Sequence, residues 1–176
     1  MSIKHIPIGD KAPEILNAVI EIPVRSSMKY EYDEELDVIR LDRVLHSPMF
    51  YPADYGFVPQ TRADDGDHLD VLVLMSQPTF PGCMLEVRPV GVLDMEDEEG
   101  HDWKILAVAT KDPRFKDIND IDDVDNHLKD EIQHFFEQYK HLESKWATVK
   151  GWADKAEAHR RIVESQERFV QEEHHA

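Results

Sequence analysis

The run D-D-G-D-H-L-D, Asp64 to Asp70, lies between a proline-rich stretch and a short apolar one, and its residue types suit one chemistry above others. Gly66 frees the backbone to turn between carboxylates, so Asp65, Asp67 and Asp70 can converge on one point. Carboxylate oxygens are what a hard cation such as Mg²⁺ takes, and Mg²⁺ commonly keeps several waters beside a few carboxylates and phosphate oxygens. A polar turn capped by aspartates gives the same pattern, and for an isolated D-x-D that plainer reading leads by roughly two to one. An EF-hand is excluded, because the glycine stands between the first two aspartates and no glutamate closes a loop of the required length.

A second acidic pair, Asp97 and Asp102, changes the balance. The spacing places them at the two ends of a hairpin loop, Glu98 to His101, facing each other, with Lys104 on the same strand face as Asp102. Several carboxylates, some bridging, can hold two cations that clamp a water and the phosphate it attacks. The matching cationic and phenolic set is Lys29, Arg43, Lys104 and Lys140 with Tyr51, Tyr55 and Tyr139. Arginine offers a planar fork to phosphate oxygens, lysine a point charge and tyrosine a hydroxyl donor. Singly, each lysine reads as a surface residue and Tyr51 and Tyr55 as core rings; together with the carboxylates they read as a site for phosphate anhydrides.

The elements that must position these groups follow from periodicity. Asn17 to Val24 and Asp37 to Leu45 read as strands, and between them Lys29 and Glu31 share a face of an extended segment. Ser47 to Gln60, with three prolines and four aromatics, reads as an irregular loop held by ring packing. Asp70 to Met75, Leu85 to Asp97 and Asp102 to Ala109 read as further strands. From Ile121 the apolar residues recur at helical spacing through Leu142, with Asp122 and Asp123 suited to the helix N-terminus, and a second helical pattern runs from near Trp152 almost to the end. Strands first and helices last give an α+β class with a mainly antiparallel sheet or barrel, and a length of 176 residues gives one domain, 1–176.

With 37 acidic against 20 basic residues the net charge is −17, which disfavours nucleic acid and anionic membrane surfaces as partners and requires cations before a polyanion can bind. The single Cys83 rules out an intrachain disulfide and a multi-cysteine zinc site. No apolar leader and no run long enough to span a bilayer is present, so a cytoplasmic location is expected.

Beyond single motifs, the chain resembles the family I soluble inorganic pyrophosphatases over almost its full length. The resemblance rests on D-G-D-x-x-D at Asp65 to Asp70 followed by V-L-V, on IEIP (Ile20 to Pro23), KYE (Lys29 to Glu31), LDR (Leu41 to Arg43) and MFYPADYGFVP (Met49 to Pro59), and on RPVGVLDMEDEEGHDWK (Arg88 to Lys104) and HFFEQYKHLE (His134 to Glu143). It implies a small OB-like antiparallel β-barrel with flanking C-terminal helices, and hydrolysis of pyrophosphate to two orthophosphates by a metal-bound hydroxide, without a covalent intermediate. By the same resemblance Asp65, Asp70 and Asp102 would bind the tightest metal, Asp70 bridging to a second, and Asp67 would orient or deprotonate the nucleophilic water. Glu31 and Asp97 would ligate further metals, with Glu21 as a supporting acid. Lys29, Arg43, Tyr55, Lys104, Tyr139 and Lys140 would bind phosphoryl groups, with Tyr51 nearby. Several Mg²⁺ ions, with Mn²⁺ or Zn²⁺ as substitutes, and a homohexamer complete the implication, His134 resembling a subunit-contact position.

Two departures stand out. His68 replaces a common proline and is expected as a partly exposed spacer, since hard Mg²⁺ disfavours imidazole; Trp103, where a small residue is usual, is expected to point away from the site. Two other functions compete: hydrolysis of nucleoside triphosphates or short polyphosphates at the same site, and a catalytically silent acidic cation-binding module on an OB-like scaffold. No G-x-x-x-x-G-K-[ST] loop supports a nucleotide site.

Overall fold

β-Branched residues, apolar runs and pairing with neighbouring strands build eight strands in the computed structural model, which describes residues 2–175. They are β1 (Leu16–Ile22), β2 (Met28–Asp33), β3 (Val38–Val44), β4 (Asp54–Val58), β5 (Leu69–Leu74), β6 (Met84–Asp97), β7 (Gly100–Ala109) and β8 (Ala147–Ala153). Two helices, α1 (Asn126–Gln138) and α2 (Lys155–His175), flank β8 in the sequence. The main sheet runs β1-β4-β5-β7-β6-β8, and β1 also pairs with β6. Five strands therefore close on themselves as an OB-like barrel, with β8 added outside β6. Every pair in it is antiparallel except β5 with β7, so the expected mainly antiparallel barrel holds with one parallel seam. β2 and β3 form a separate hairpin.

Both faces of the barrel strands are buried. Leu72, Leu74, Leu106 and Val108 pack with Ile132, Phe135 and Phe136 of α1, whereas Val71, Val73, Ile105 and Ala107 pack with Ala158 and Ile162 of α2. Strands buried on both sides read as unbroken apolar runs, which is why β5 and β7 were visible. The α1 face matters for the site: Asp70, Asp102 and Lys104 continue it beyond the apolar positions, two residues apart along each strand.

Several expectations need correction. The stretch Ser47 to Gln60 contains β4, whose five residues are all buried; its prolines lie outside Asp54–Val58, and Gly56 is needed inside it because a Cβ there would meet the Val19 carbonyl oxygen at 1.9 Å. The β6–β7 turn comprises Glu98 and Glu99 only, since Gly100 already pairs with Asp97. Asp102 consequently sits opposite Met95, and Asp97 and Asp102 are diagonal neighbours rather than a facing pair. The helical stretch from Ile121 to Leu142 is broken in two places. A 3-10 turn, Ile121–Asp123, is closed by its own capping box between Asp120 and Asp123, and Asp125, not Asp122 or Asp123, caps α1 by accepting from the Leu128 amide at 3.0 Å. After Gln138 a second 3-10 turn ends at Ser144 with φ 57°. Trp152 belongs to β8, a strand with a lysine and a glycine in its middle that periodicity did not reveal, and α2 starts only at Lys155.

Candidate active site

The residues singled out above come from strands and loops far apart in sequence, yet all but one line a single cavity of about 690 Å³. Glu21 reaches it from β1, Lys29 and Glu31 from β2, Arg43 from β3 and Tyr55 from β4. Asp65 and Asp67 project from the loop before β5, Asp70 from β5, Asp97 from the end of β6, Asp102 and Lys104 from β7, and Tyr139 and Lys140 from the end of α1. The exception is Tyr51. It is 1% exposed and packs behind the wall, its ring 5.3 Å from Tyr55 and 4.7 Å from Phe135.

Gly66, with φ +91°, makes the turn between Asp65 and Asp67, and Asp65 Oδ1 accepts the Asp67 amide at 2.9 Å. The aspartate run is thus both an Asx turn and part of the cavity. At the centre, Lys104 is 2% exposed and donates from Nζ to Asp70 Oδ2 at 2.8 Å and to the Tyr55 hydroxyl at 2.9 Å, with Asp102 Oδ2 at 3.0 Å. The rings of Tyr55 and Phe136 lie 5.1 and 5.0 Å from the same ammonium. Lys140 Nζ donates to Asp97 Oδ2 at 2.9 Å. Lys29 pairs with Glu31, as their shared strand face requires, and lies 3.6 Å from Asp42. Arg43 Nε is 2.7 Å from Glu143 Oε1, and its Nη1 reaches Asp42 at 2.5 Å.

Burial and like charge shape the titration of these groups. Glu21 is pushed up to about 8, first by desolvation and then by Asp70 and Glu31, against the Tyr32 amide it accepts. Desolvation also raises Asp102, and Lys104 only partly offsets it. Asp67, although exposed as a residue, is raised by partial desolvation and then by Asp65, Asp70 and Glu31. Burial alone would raise Asp97, but the Lys140 ammonium and the Glu99 amide hold it below the usual range. Burial would lower Lys104; Asp102 and Asp70 overcome that and keep it charged. Tyr55 and Tyr139 are raised mainly by burial, so both remain hydroxyl donors.

The cavity lining holds thirteen carboxylates against six lysines and arginines, an excess of negative charge that no polyanion can approach without counter-cations. Among the described residues no three His, Cys, Asp or Glu side chains converge as a ready-made cage. Most of the potential donors that line the cavity are carboxylate oxygens, the set hard divalent cations prefer. His68 lines it as well. It is partly exposed, as expected of a spacer, and is also held in place, stacked on Phe57 at 4.8 Å, with Nδ1 2.9 Å from the Thr61 carbonyl and Nε2 2.8 Å from Glu34. Trp103 does point away, lying under the Arg161 guanidinium at 3.7 Å. His134 is exposed on α1.

Sequence reasoning passed over Asp42, Glu143, Glu34 and Arg62. Asp42 adjoins Arg43, and Glu143 ends the HFFEQYKHLE segment, so adjacency to chosen residues was the available signal. Glu34 and Arg62 gave none.

A closed five-stranded barrel that sinks acidic residues in one cavity and rims it with lysine, arginine and tyrosine defines a cation-assisted protein for small, densely charged phosphates. The model of the inorganic pyrophosphatase family matches residues 18–170. The inorganic pyrophosphatase of Thermus thermophilus is 54% identical over 160 residues, covering 89% of this chain and 91% of that protein, and that of Saccharolobus solfataricus is 50% identical over 166 residues, covering 93% and 96%. Among solved structures, that of the Thermus thermophilus inorganic pyrophosphatase superposes with a TM-score of 0.94 at 50% identity, covering 97% of this chain and 99% of that one. That of Helicobacter pylori gives 0.91 at 41%, covering 94% and 99%. The chain belongs to the inorganic pyrophosphatase family, whose members require divalent cations. No helix among the described residues is long and apolar enough to cross a membrane.

Proposed function

We propose that this chain hydrolyses inorganic pyrophosphate to two orthophosphates. The observation that carries the reading is the convergence, on one cavity, of a large carboxylate set with Lys29, Arg43, Lys104, Lys140, Tyr55 and Tyr139. Pyrophosphate is small and heavily anionic, so its binding and the charge that develops on its oxygens must be met by fixed cations and hydroxyl donors. Lys29 and Arg43 supply these from the hairpin, Lys104 and Tyr55 from the barrel, and Tyr139 and Lys140 from the end of α1. Water adds to one phosphorus as the bridging oxygen leaves with the other phosphate, and Asp67 takes the water's proton. Its raised affinity for a proton, set by partial desolvation and then by neighbouring carboxylates, suits a general base better than an ordinary exposed aspartate does.

Asp65, Asp70 and Asp102 would hold one divalent ion, Asp70 being shared with a second, while Asp97 and Glu31 would hold ions that accompany substrate, with Glu21 behind them. Bound there, Mg²⁺ lowers the pKa of water and shields the phosphates; Mn²⁺ and Zn²⁺ are substitutes with the same oxygen ligands. Residues 1–176 act as one domain, in the cytoplasm, as a homohexamer.

Phosphate release from pyrophosphate is the test, with Mg²⁺ present and then chelated. Release that stops on chelation is expected, with ATP and tripolyphosphate turned over more slowly under Mg²⁺. Faster hydrolysis of ATP would move the assignment to nucleotides, and no release in either state would leave the silent cation-binding module.

A further inference from the structure

The β2–β3 hairpin forms its own two-stranded sheet and carries Lys29, Glu31 and Arg43 over the cavity, so what fixes the hairpin also fixes those three groups. Its tip is gripped by a residue with no part in the reaction proposed above. The Arg62 guanidinium donates from Nη1 and Nη2 to the two carboxylate oxygens of Glu34 at 2.7 and 3.2 Å, and from Nε to Glu172 Oε2 on α2 at 2.8 Å. It lies 5.6 Å over the Phe169 ring, and the Arg62 amide donates to the Ser165 carbonyl of the same helix at 2.8 Å. His68 of the aspartate loop touches Glu34 as well. The tip is also held by Asp37, which accepts from the Ile3 and Lys4 amides at 3.0 and 3.1 Å. Arg62 is the residue that joins hairpin tip, aspartate loop and C-terminal helix. Its fork is fully engaged by carboxylates, which leaves it unsuited to take a phosphate itself.

We propose that Arg62 is a positioning residue for substrate binding: by clamping Glu34 to α2 it sets the height of the hairpin, and with it the fit of Lys29 and Arg43 on the phosphates. The proposal rests on the pyrophosphate reading. Ion pairs this close to solvent contribute little to global stability, so releasing one should tilt the hairpin without unfolding the barrel.

Steady-state hydrolysis of pyrophosphate with Mg²⁺ tests it in wild type, Arg62→Met, Arg62→Lys, Glu34→Gln and the Arg62→Met/Glu34→Gln double variant. The expected pattern is a KM raised about five- to ten-fold in Arg62→Met with kcat within about two-fold, the signature of lost ground-state binding. Arg62→Lys falls between, and the double variant is no worse than the poorer single one, because the two side chains act as one unit. If Arg62→Met fails to fold, Glu34→Gln, a change at a half-exposed carboxylate, must show the raised KM by itself. An unchanged KM in folded variants, a loss of kcat that only tracks the folded fraction, or additive effects in the double variant would overturn the clamp. Absence of phosphate release by wild type would instead strike the pyrophosphate reading.

Discussion

Replacing Lys104 with methionine keeps an unbranched chain, one atom shorter, and removes the charge from the most crowded point of the site. Lys104 is 2% exposed, and its loss strips Asp70, Asp102 and the Tyr55 hydroxyl of a shared partner. Breaking a buried charge cluster by removing one member costs about 3–5 kcal/mol. Asp70 and Asp102 keep 27% and 19% side-chain exposure and so retain some water, which points to the lower end, about 3 kcal/mol. For a chain of this size that corresponds to a fall in Tm of roughly 6–12 °C. A divalent cation held by the same two carboxylates would take over the neutralisation, so Mg²⁺ should bind Lys104→Met more tightly than wild type and the deficit should shrink when Mg²⁺ is saturating. Thermal melts of wild type and Lys104→Met, at one fixed protein concentration, in chelator and in Mg²⁺, measure both quantities. Equal Tm values in chelator, or a deficit that Mg²⁺ leaves untouched, would refute the view that Lys104 and the cation neutralise the same oxygens.

Other outcomes follow from the same geometry. Asp67→Asn should cut turnover by about 10²–10⁴-fold, the range for loss of a general base, while divalent-cation binding measured by calorimetry largely survives; full activity would remove Asp67 as base. Gly56→Ala should cost more than the roughly 1–3 kcal/mol usual for overpacking, because its Cβ would meet backbone oxygen at 1.9 Å rather than a yielding side chain, and a melt within a degree of wild type would contradict the β1–β4 packing. Asp112 is held down to about 2 by Ser76 and the Arg114 amide. A carboxylate with a depressed folded pKa stabilises above its unfolded value and loses that contribution as pH falls through the folded one. Denaturant midpoints of wild type and Asp112→Asn should therefore differ at neutral pH and draw together as pH falls from about 4 through 2; a difference undiminished at pH 2 would contradict the assignment.

Much of the site was legible because its chemistry is written in short, local patterns. D-G-D-x-x-D declared its carboxylates, and Lys29 with Glu31, or Asp102 with Lys104, needed only the two-residue strand period to be placed together. Tyr51 backs the wall while Tyr55 faces the cavity, and the stretch that holds both gives no sign of which does which. β4 was hidden among prolines, and β8 was disguised by Lys150 and Gly151, because pairing with β6 rather than intrinsic preference makes it a strand. The break between the 3-10 turn and α1 depended on which of four nearby aspartates captured which amide. The Arg62 network lay beyond reach altogether: its partners are 28 and 110 residues away, and no local pattern joins them.

The one parallel seam of the barrel sets Asp70 directly beside Lys104, and its strands are separated in the chain by the whole of β6. Parallel neighbours cannot be joined by a tight turn, so this pairing closes a loop that spans the whole of β6 and is one of the non-local contacts that slow folding. Asp70 and Asp102 therefore come together only once that crossover has closed. A ligand that bound the assembled carboxylates of the folded chain and not the unfolded one would stabilise the fold by mass action, so filling the cavity would be linked to the stability of the whole chain.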